Sequence, residues 1–283
     1  MVKAAVIGAS GYIGTAVAER LTGARHEVVA VSRRGNVANY TTVPGDLTRP
    51  ETLRSALAAT GPDVVVHAGN PTGDVEVDLA STAALLDQGA PVIYISGIWW
   101  LGAVGESPFT EDPPDGDTPR AQLERAVLAA ADRVRTVVVR PGVVYGRGGG
   151  IPAEMVGWAG KYGVGRYVGD PGTRWPTVQV DDLADLVLLA IEHARSGAVL
   201  HGVGEEAVEV SAIAAAADVA AGGIGRAEAW PVASAAQELG EQYARWLALD
   251  QAFSSTRTRA ELDWRPSRPT IVEDLTTGSY NKR

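Results

Sequence analysis

The stretch AVIGASGYIG, from Ala5 to Gly14, constrains the fold of this chain more than any other segment. Val6 and Ile7 read as the end of a buried strand, and the apolar-rich TAVAERL from Thr15 to Leu21 reads as a helix. Gly8, Gly11 and Gly14 stand between them. A strand that turns straight into a helix over such a triplet needs a tight turn, a close backbone approach and close helix packing. It also leaves free N–H groups at the helix start, facing a phosphate. Gly8, Ser10, Gly11, Tyr12, Ile13 and Gly14 are therefore the expected phosphate-binding segment of a nucleotide site. A glycine triplet is compatible with a plain turn as well; its place after the first strand and before the first helix selects the nucleotide reading.

Beyond this helix the chain alternates strand and helix periods. HEVVAVSRR, from His26 to Arg34, is strand-like and ends in two arginines, where the adenosine ribose of a dinucleotide is expected. Ser32, Arg33 and Arg34 include no carboxylate to accept ribose hydroxyls, so a 2′-phosphate is the better match and NADP(H) the expected cofactor; two solvated arginines would leave NAD open. Asp46 and Leu47 read as the end of a short strand, with a helix starting at Asp46 or Thr48 and running through Leu57. Val64 to Val66, a helix from Val75 to Leu86, and a strand from Pro91 to Gly97 continue the pattern. Such alternation calls for a parallel sheet with helices on both faces and a ligand at the carboxyl ends of its strands. The expected fold class is α/β, a Rossmann-type doubly wound parallel sheet with a small C-terminal substrate-covering lobe.

Taken together, GASGYIG, GDL at Gly45 to Leu47, PDVVVHAG, YISG, VVVRPGVVYG from Val137 to Gly146, VQVDDLADLVLLAIE and AELDWRPS resemble the extended or atypical branch of the short-chain dehydrogenase/reductase superfamily, the NAD-dependent epimerase/dehydratase family. The resemblance implies that Asp46 and Leu47 approach the adenine, that Ala68 and Gly69 line the dinucleotide, and that Pro141 and Gly142 lie beside the nicotinamide. It implies a packing role for His67. It also brings an expectation this chain does not meet. The family's chemistry uses a tyrosine as acid/base and a lysine four residues on, yet no Tyr or Lys occurs between Ser96 and Val137. Aligning the helix TPRAQLERAVLAA through Glu124 sets Arg120 at the lysine position and Gly116 at the tyrosine position. An arginine can hold a ribose hydroxyl and supply a fixed positive charge, but as a residue type it does not shuttle protons.

The remaining catalytic candidates are Ser96, as the hydroxyl that polarises a substrate oxygen, and Tyr145, whose phenol either reaches the substrate or packs. Glu106, Glu111, Asp112, Asp115 and Asp117 crowd one loop, which reads as solvated unless one acid folds over the site. Trp99 and Trp100, flanked by glycines, are expected to give a flat apolar substrate pocket, with core packing as the other reading. Arg174 and Trp175 fall in the region that meets substrate in the family, Arg174 as a clamp for an anionic group. Residues 1–150 are expected to form the dinucleotide-binding core. Residues 151–283 are expected to return to it at about 176–200 and otherwise to build the lobe, beginning with a glycine-rich stretch of short elements and mobile joints and including a helix started by Asp181 or Asp182.

Composition narrows the alternatives. A net charge of -9 argues against a nucleic-acid partner, which needs a basic face. There is no cysteine, and His26, His67, His193 and His201 lack metal-ligand spacing, so no metal is expected. No apolar run approaches the ~20 residues of a membrane span, and the first residues enter a strand at once, giving the expectation of a cytoplasmic protein without membrane contact, acting on a small molecule and able to pair as a homodimer. Three functional readings are open. The first is an NADP(H)-dependent reductase acting on a carbonyl or related group of a hydrophobic small molecule. The second is a redox-neutral epimerase, dehydratase or isomerase, and the third a non-catalytic NADP-binding sensor or scaffold.

Overall fold

A computed structural model describes residues 1–33, 35–104, 108–112 and 116–281. The expected role of Arg34 and those of Glu106 and Asp115 lie outside the described residues. Strand β1 (Lys3–Ile7) turns into helix α1 (Tyr12–Gly23), which leads to β2 (Glu27–Ser32) and β3 (Thr41–Pro44). Then come α2 (Pro50–Thr60), β4 (Val64–His67), α3 (Val75–Leu86), β5 (Val92–Ile95), a 3₁₀ turn at Trp99–Leu101, α4 (Pro119–Ala129) and β6 (Thr136–Pro141). The second half runs β7 (Val143–Tyr145), α5 (Gly150–Tyr162), β8 (Gly165–Val168), β9 (Arg174–Gln179), α6 (Val180–His193), β10 (Ala198–Gly202), β11 (Glu205–Glu209) and α7 (Val210–Ala220). It closes with β12 (Ala227–Trp230), α8 (Val232–Leu239), α9 (Glu241–Leu247), α10 (Thr256–Leu262) and α11 (Ile271–Thr277).

Seven strands form one parallel sheet in the order β10-β6-β5-β4-β1-β2-β3. Its central strands are near-continuous apolar runs because helices cover both faces: every residue of β4, β5 and β6 is buried. The order reverses around β1, which pairs with β2 on one side and β4 on the other. At such a reversal the crossovers leave to opposite faces and a crevice opens above the strand ends. The glycine turn after β1 lies there.

Three local expectations give way to side-chain chemistry. Asp46 does not start α2: its carboxylate accepts from the backbone N–H and hydroxyl of Thr48, making a turn of its own, and Pro50 takes the first helical position. The cap of α6 is neither Asp181 nor Asp182 but Gln179, whose side-chain oxygen accepts from the N–H groups of both. The glycine-rich stretch after Arg147 is not a set of short elements: it contains the 13-residue α5, whose buried Pro152, Met155 and Ala159 recur at helical spacing.

The largest apolar cluster packs α1 and α6 against the sheet, with Leu21, Val66, Ile93, Val139, Leu183 and Trp264 among its buried members. A second cluster gathers Met155, Tyr167, Trp175, Ile213, Trp230 and Leu247 from the second half of the chain. β9 belongs to both, with Val178 in the first and Trp175 in the second. No helix among the described residues is long and apolar enough to cross a membrane.

Candidate functional site

The turn after β1 is built for the absence of side chains. Gly8 has φ +83°, and a Cβ there would stand 2.8 Å from the Ala68 carbonyl oxygen on β4's extension. A Cβ at Gly14 would come within 2.0 Å of the Gly8 carbonyl oxygen, so α1 can leave the strand this steeply only with glycine at that position. Gly11 stands at the N-cap of α1 with no side chain to cap it, so the first N–H groups of the helix are presented by the backbone alone. Gly69 is similarly confined: a Cβ would meet Leu47 at 2.8 Å and the His67 ring at 3.1 Å. The His67 Nδ1 accepts from the Gly69 N–H at 3.0 Å, and its ring lies edge-on to Tyr94. Burial, followed by the charge of Arg120, pushes the His67 pKa down to about 4, so the ring is a neutral packing and turn-setting group at neutral pH.

At the end of β2, Ser32 is buried and Arg33 exposed. The Thr48 backbone N–H, foremost, holds the Asp46 carboxyl below the usual carboxylate range, with the Thr48 hydroxyl, Arg49 and Arg33 adding to it. Arg33 and Arg49 thus flank one carboxylate at the carboxyl edge of β2 and β3.

Beside this edge a cleft of about 1280 Å³ runs along the strand ends. Tyr12 and Ile13 from α1, Ser96 and Gly97 after β5, and Pro141 and Gly142 after β6 form its floor. Gly142 is pinned by its N–H to the Gly202 carbonyl at 3.0 Å, and a Cβ there would stand 2.6 Å from the Pro176 carbonyl oxygen. Thr118, Arg120 and Leu123 of α4 supply one flank, and Trp99 and Trp100 another. The Ser96 Oγ is buried with no hydrogen-bond partner. A covered donor without an acceptor costs roughly 1–3 kcal/mol, a cost that an acceptor oxygen entering the cleft removes. Arg120 contacts the Tyr94 phenol: burial raises the Tyr94 pKa, and Arg120 opposes that rise.

Similarity to known proteins covers the same part of the chain. A profile described as the NAD dependent epimerase/dehydratase family matches residues 4–203. The chain belongs to that family. It is 31% identical to Uncharacterized protein YLL056C of Saccharomyces cerevisiae, covering 96% of this chain and 97% of the yeast protein. Identity to the 2-alkyl-3-oxoalkanoate reductase of Stenotrophomonas maltophilia is 28%, over 71% of this chain and 68% of that one. The crystal structure of human epimerase family protein SDR39U1 (isoform 2) with NADPH is similar throughout, with TM-score 0.78, 25% identity and 99% of each chain covered.

Three family-derived expectations are corrected by the geometry. Tyr145 is buried in the second cluster, and its hydroxyl donates to the Pro269 carbonyl at 2.8 Å; burial, with Glu205 next, raises its pKa far above the ordinary phenol range, so it neither lines the cleft nor donates a proton there. Trp175 is fully buried and its indole N–H donates to the Leu247 carbonyl at 3.2 Å, which makes it core. Arg174 is held by Asp250 through Nε at 2.9 Å and Nη2 at 2.6 Å, so its charge is spent on an internal ion pair and not on a substrate anion. The described loop carboxylates are committed elsewhere too. Glu111 accepts from the Thr258 N–H and hydroxyl, Asp112 faces Arg257, and Asp117 pairs with Arg125.

Sequence reasoning missed another wall of the cleft. Gln242, Tyr243, Arg245 and Trp246 of α9, with Leu249 beyond it, line the cleft beside the 3₁₀ turn. The Trp246 ring stacks on Trp99 with centroids 5.8 Å apart, and Tyr243 lies 6.2 Å from Trp99. Trp100 is braced from behind by the Arg140 guanidinium, 5.2 Å from its ring centroid, and Arg140 is itself paired with the fully buried Glu124 at 2.8 Å. The only signal that pointed to α9 was the aromatic spacing in QYARW, which reads equally well as packing.

Proposed function

We propose that this chain is an NADPH-dependent reductase acting on a carbonyl or related group of a hydrophobic small molecule. The observation that carries the reading is the partnerless Ser96 hydroxyl, in a cleft shared by Pro141, Gly142 and Arg120 and walled by Trp99, Trp100 and Trp246. The glycine turn fits a dinucleotide pyrophosphate, since its closest approaches exclude a Cβ and the N-terminus of α1 carries no side-chain cap. Support for the 2′-phosphate form comes from Arg33 at the end of β2, from the lack of a carboxylate among residues 32–34, and from the NADPH in the human SDR39U1 structure.

A nicotinamide dinucleotide held by the glycine turn after β1 would supply the hydride to the carbonyl carbon. Ser96 donates a hydrogen bond to the carbonyl oxygen, and Arg120 supplies a fixed positive charge for the alkoxide that develops there. The oxygen then takes its proton from water in the cleft. The phenols that line the cleft are poor donors: Tyr12 donates to the Gly146 carbonyl and Tyr243 to Glu154, and burial, first among the causes, raises both pKa values. This same shortage of acids favours a second reading, a dinucleotide-binding sensor without turnover.

Titration with NADPH and NADH, followed by oxidation of NADPH in the presence of aromatic and aliphatic ketones, separates these readings. Tighter binding of NADPH and turnover of an apolar ketone are the expected results, with Arg33→Ala reducing the NADPH preference. Tighter NADH binding overturns the cofactor assignment, and tight NADPH binding with no turnover across the ketone panel favours the sensor.

A further inference from the structure

The loop between β7 and α5 runs through left-handed backbone, which its glycines adopt freely and its arginine does not. Gly146, Arg147, Gly148 and Gly150 all have positive φ, and for Arg147 that conformation is unfavourable. Such a loop persists only where its surroundings hold it. The holding groups come from two distant places. Tyr280 accepts from the Gly146 N–H at 2.7 Å and donates to the Gly149 carbonyl at 2.6 Å, while Ser279 accepts from the Gly148 N–H at 2.9 Å. Asp274 fixes Ser279 in turn, accepting from its N–H at 2.7 Å and its hydroxyl at 2.9 Å.

From the other side the loop grips α1. Tyr12, the first residue of that helix, donates to the Gly146 carbonyl at 2.7 Å, and Arg147 pairs with Glu19 of the same helix at 2.6 Å. The fit is close, since a Cβ on Gly149 would stand 2.6 Å from the Tyr12 ring. Tyr280, the glycine loop and Tyr12 therefore form one continuous hydrogen-bonded chain that ends at the helix terminus facing the dinucleotide.

We propose that Tyr280 is a positioning residue for dinucleotide binding, acting through the Gly146–Gly150 loop on Tyr12 and the first turn of α1. The inference rests on the dinucleotide reading of the glycine turn. Its use to the protein is orientation: the N–H groups of the first turn of α1 are aimed by a tyrosine 268 positions away from Tyr12 in the chain.

The test uses the full chain and reads NADPH affinity by nicotinamide fluorescence alongside the thermal midpoint, for Tyr280→Phe, Tyr12→Phe and the double variant. Loss of the Tyr280 hydroxyl is expected to weaken NADPH binding about tenfold. Tyr12→Phe is expected to weaken it similarly, and the double variant to be no weaker than the weaker single one, because all three interrupt the same chain of contacts. Ser279→Ala, which removes only the Gly148 contact, is expected to act in the same direction by a smaller factor. A Tyr280→Phe protein with a lowered midpoint and unchanged NADPH affinity overturns the proposal in favour of a purely structural tyrosine. Additive effects in the double variant overturn the route through Tyr12. Failure of the unmodified protein to bind NADPH overturns the dinucleotide reading and this inference with it.

Discussion

The cleft and the glycine turn beside it are made by opposite means. The edge beside the cleft, at the ends of β1 and β4, is mostly backbone: Gly8, Gly14 and Gly69 are confined by neighbours that leave no room for a Cβ, and the first turn of α1 carries no side-chain cap. The cleft wall is mostly side chain, with Trp99, Trp100, Tyr243 and Trp246 contributed by a 3₁₀ turn and by α9. A backbone wall recognises what is common to its ligands, whereas a side-chain wall discriminates among them, because changing a ring changes the shape of the space. Under the proposed function, cofactor recognition falls to the backbone edge and substrate choice to the side-chain wall.

The largest expected effect comes from the backbone wall. Gly14→Ala forces a Cβ to within 2.0 Å of the Gly8 carbonyl oxygen, so the turn must rearrange. Loss of NADPH binding by more than about 100-fold is expected in a protein whose circular dichroism still reports α/β structure, each tenfold corresponding to about 1.4 kcal/mol; near-normal affinity would break the contrast. Ser96→Ala, at the meeting of the walls, is expected to lower kcat by about 100-fold and leave NADPH affinity unchanged, as removal of one preorganised donor does elsewhere.

On the side-chain wall, Trp246→Ala is expected to raise KM for a ring-bearing ketone by about tenfold and to spare NADPH affinity, since stacking and apolar contact are lost without touching the glycine turn. An equal loss for NADPH and ketone would show that the walls do not divide the work. Tyr145→Phe gives the smallest effect. With its hydroxyl spent on the Pro269 carbonyl, kcat should not change, and the thermal midpoint should fall by about 2 °C for the loss of one hydrogen bond. A drop in kcat without a change in the midpoint would restore Tyr145 to the reaction.

The same contrast explains what the sequence revealed and what it hid. The backbone wall is local, so Gly8 to Gly14 announce it within a single turn. The helix from Val75 to Leu86 stands where the strand and helix alternation predicts it, and Asp74 caps it with a side chain that accepts from the Glu76 and Val77 N–H groups. The side-chain wall depends on Trp99 meeting Trp246, a contact across half the chain that no local pattern encodes. Tyr145 misled because family motifs fix a residue's place along a strand more readily than the side it faces. Val144 lines the cleft, and Tyr145, one residue on, points into the second cluster. Arg174 misled because its partner, Asp250, lies in a segment with no signature of pairing. In α5 the glycines masked a helical stripe: Gly157 and Gly160 lower helix propensity, yet buried Met155 and Ala159 outweigh it.

The passage from β9 to α6 has a mechanical consequence. Trp175 is embedded in one apolar cluster and Val178 in the other, and the next residue, Gln179, clamps the first turn of α6 with its side chain. One continuous stretch of chain therefore ties the two clusters together. Parting them means pulling Trp175 or Val178 out of its packing, or breaking the Gln179 clamp on α6.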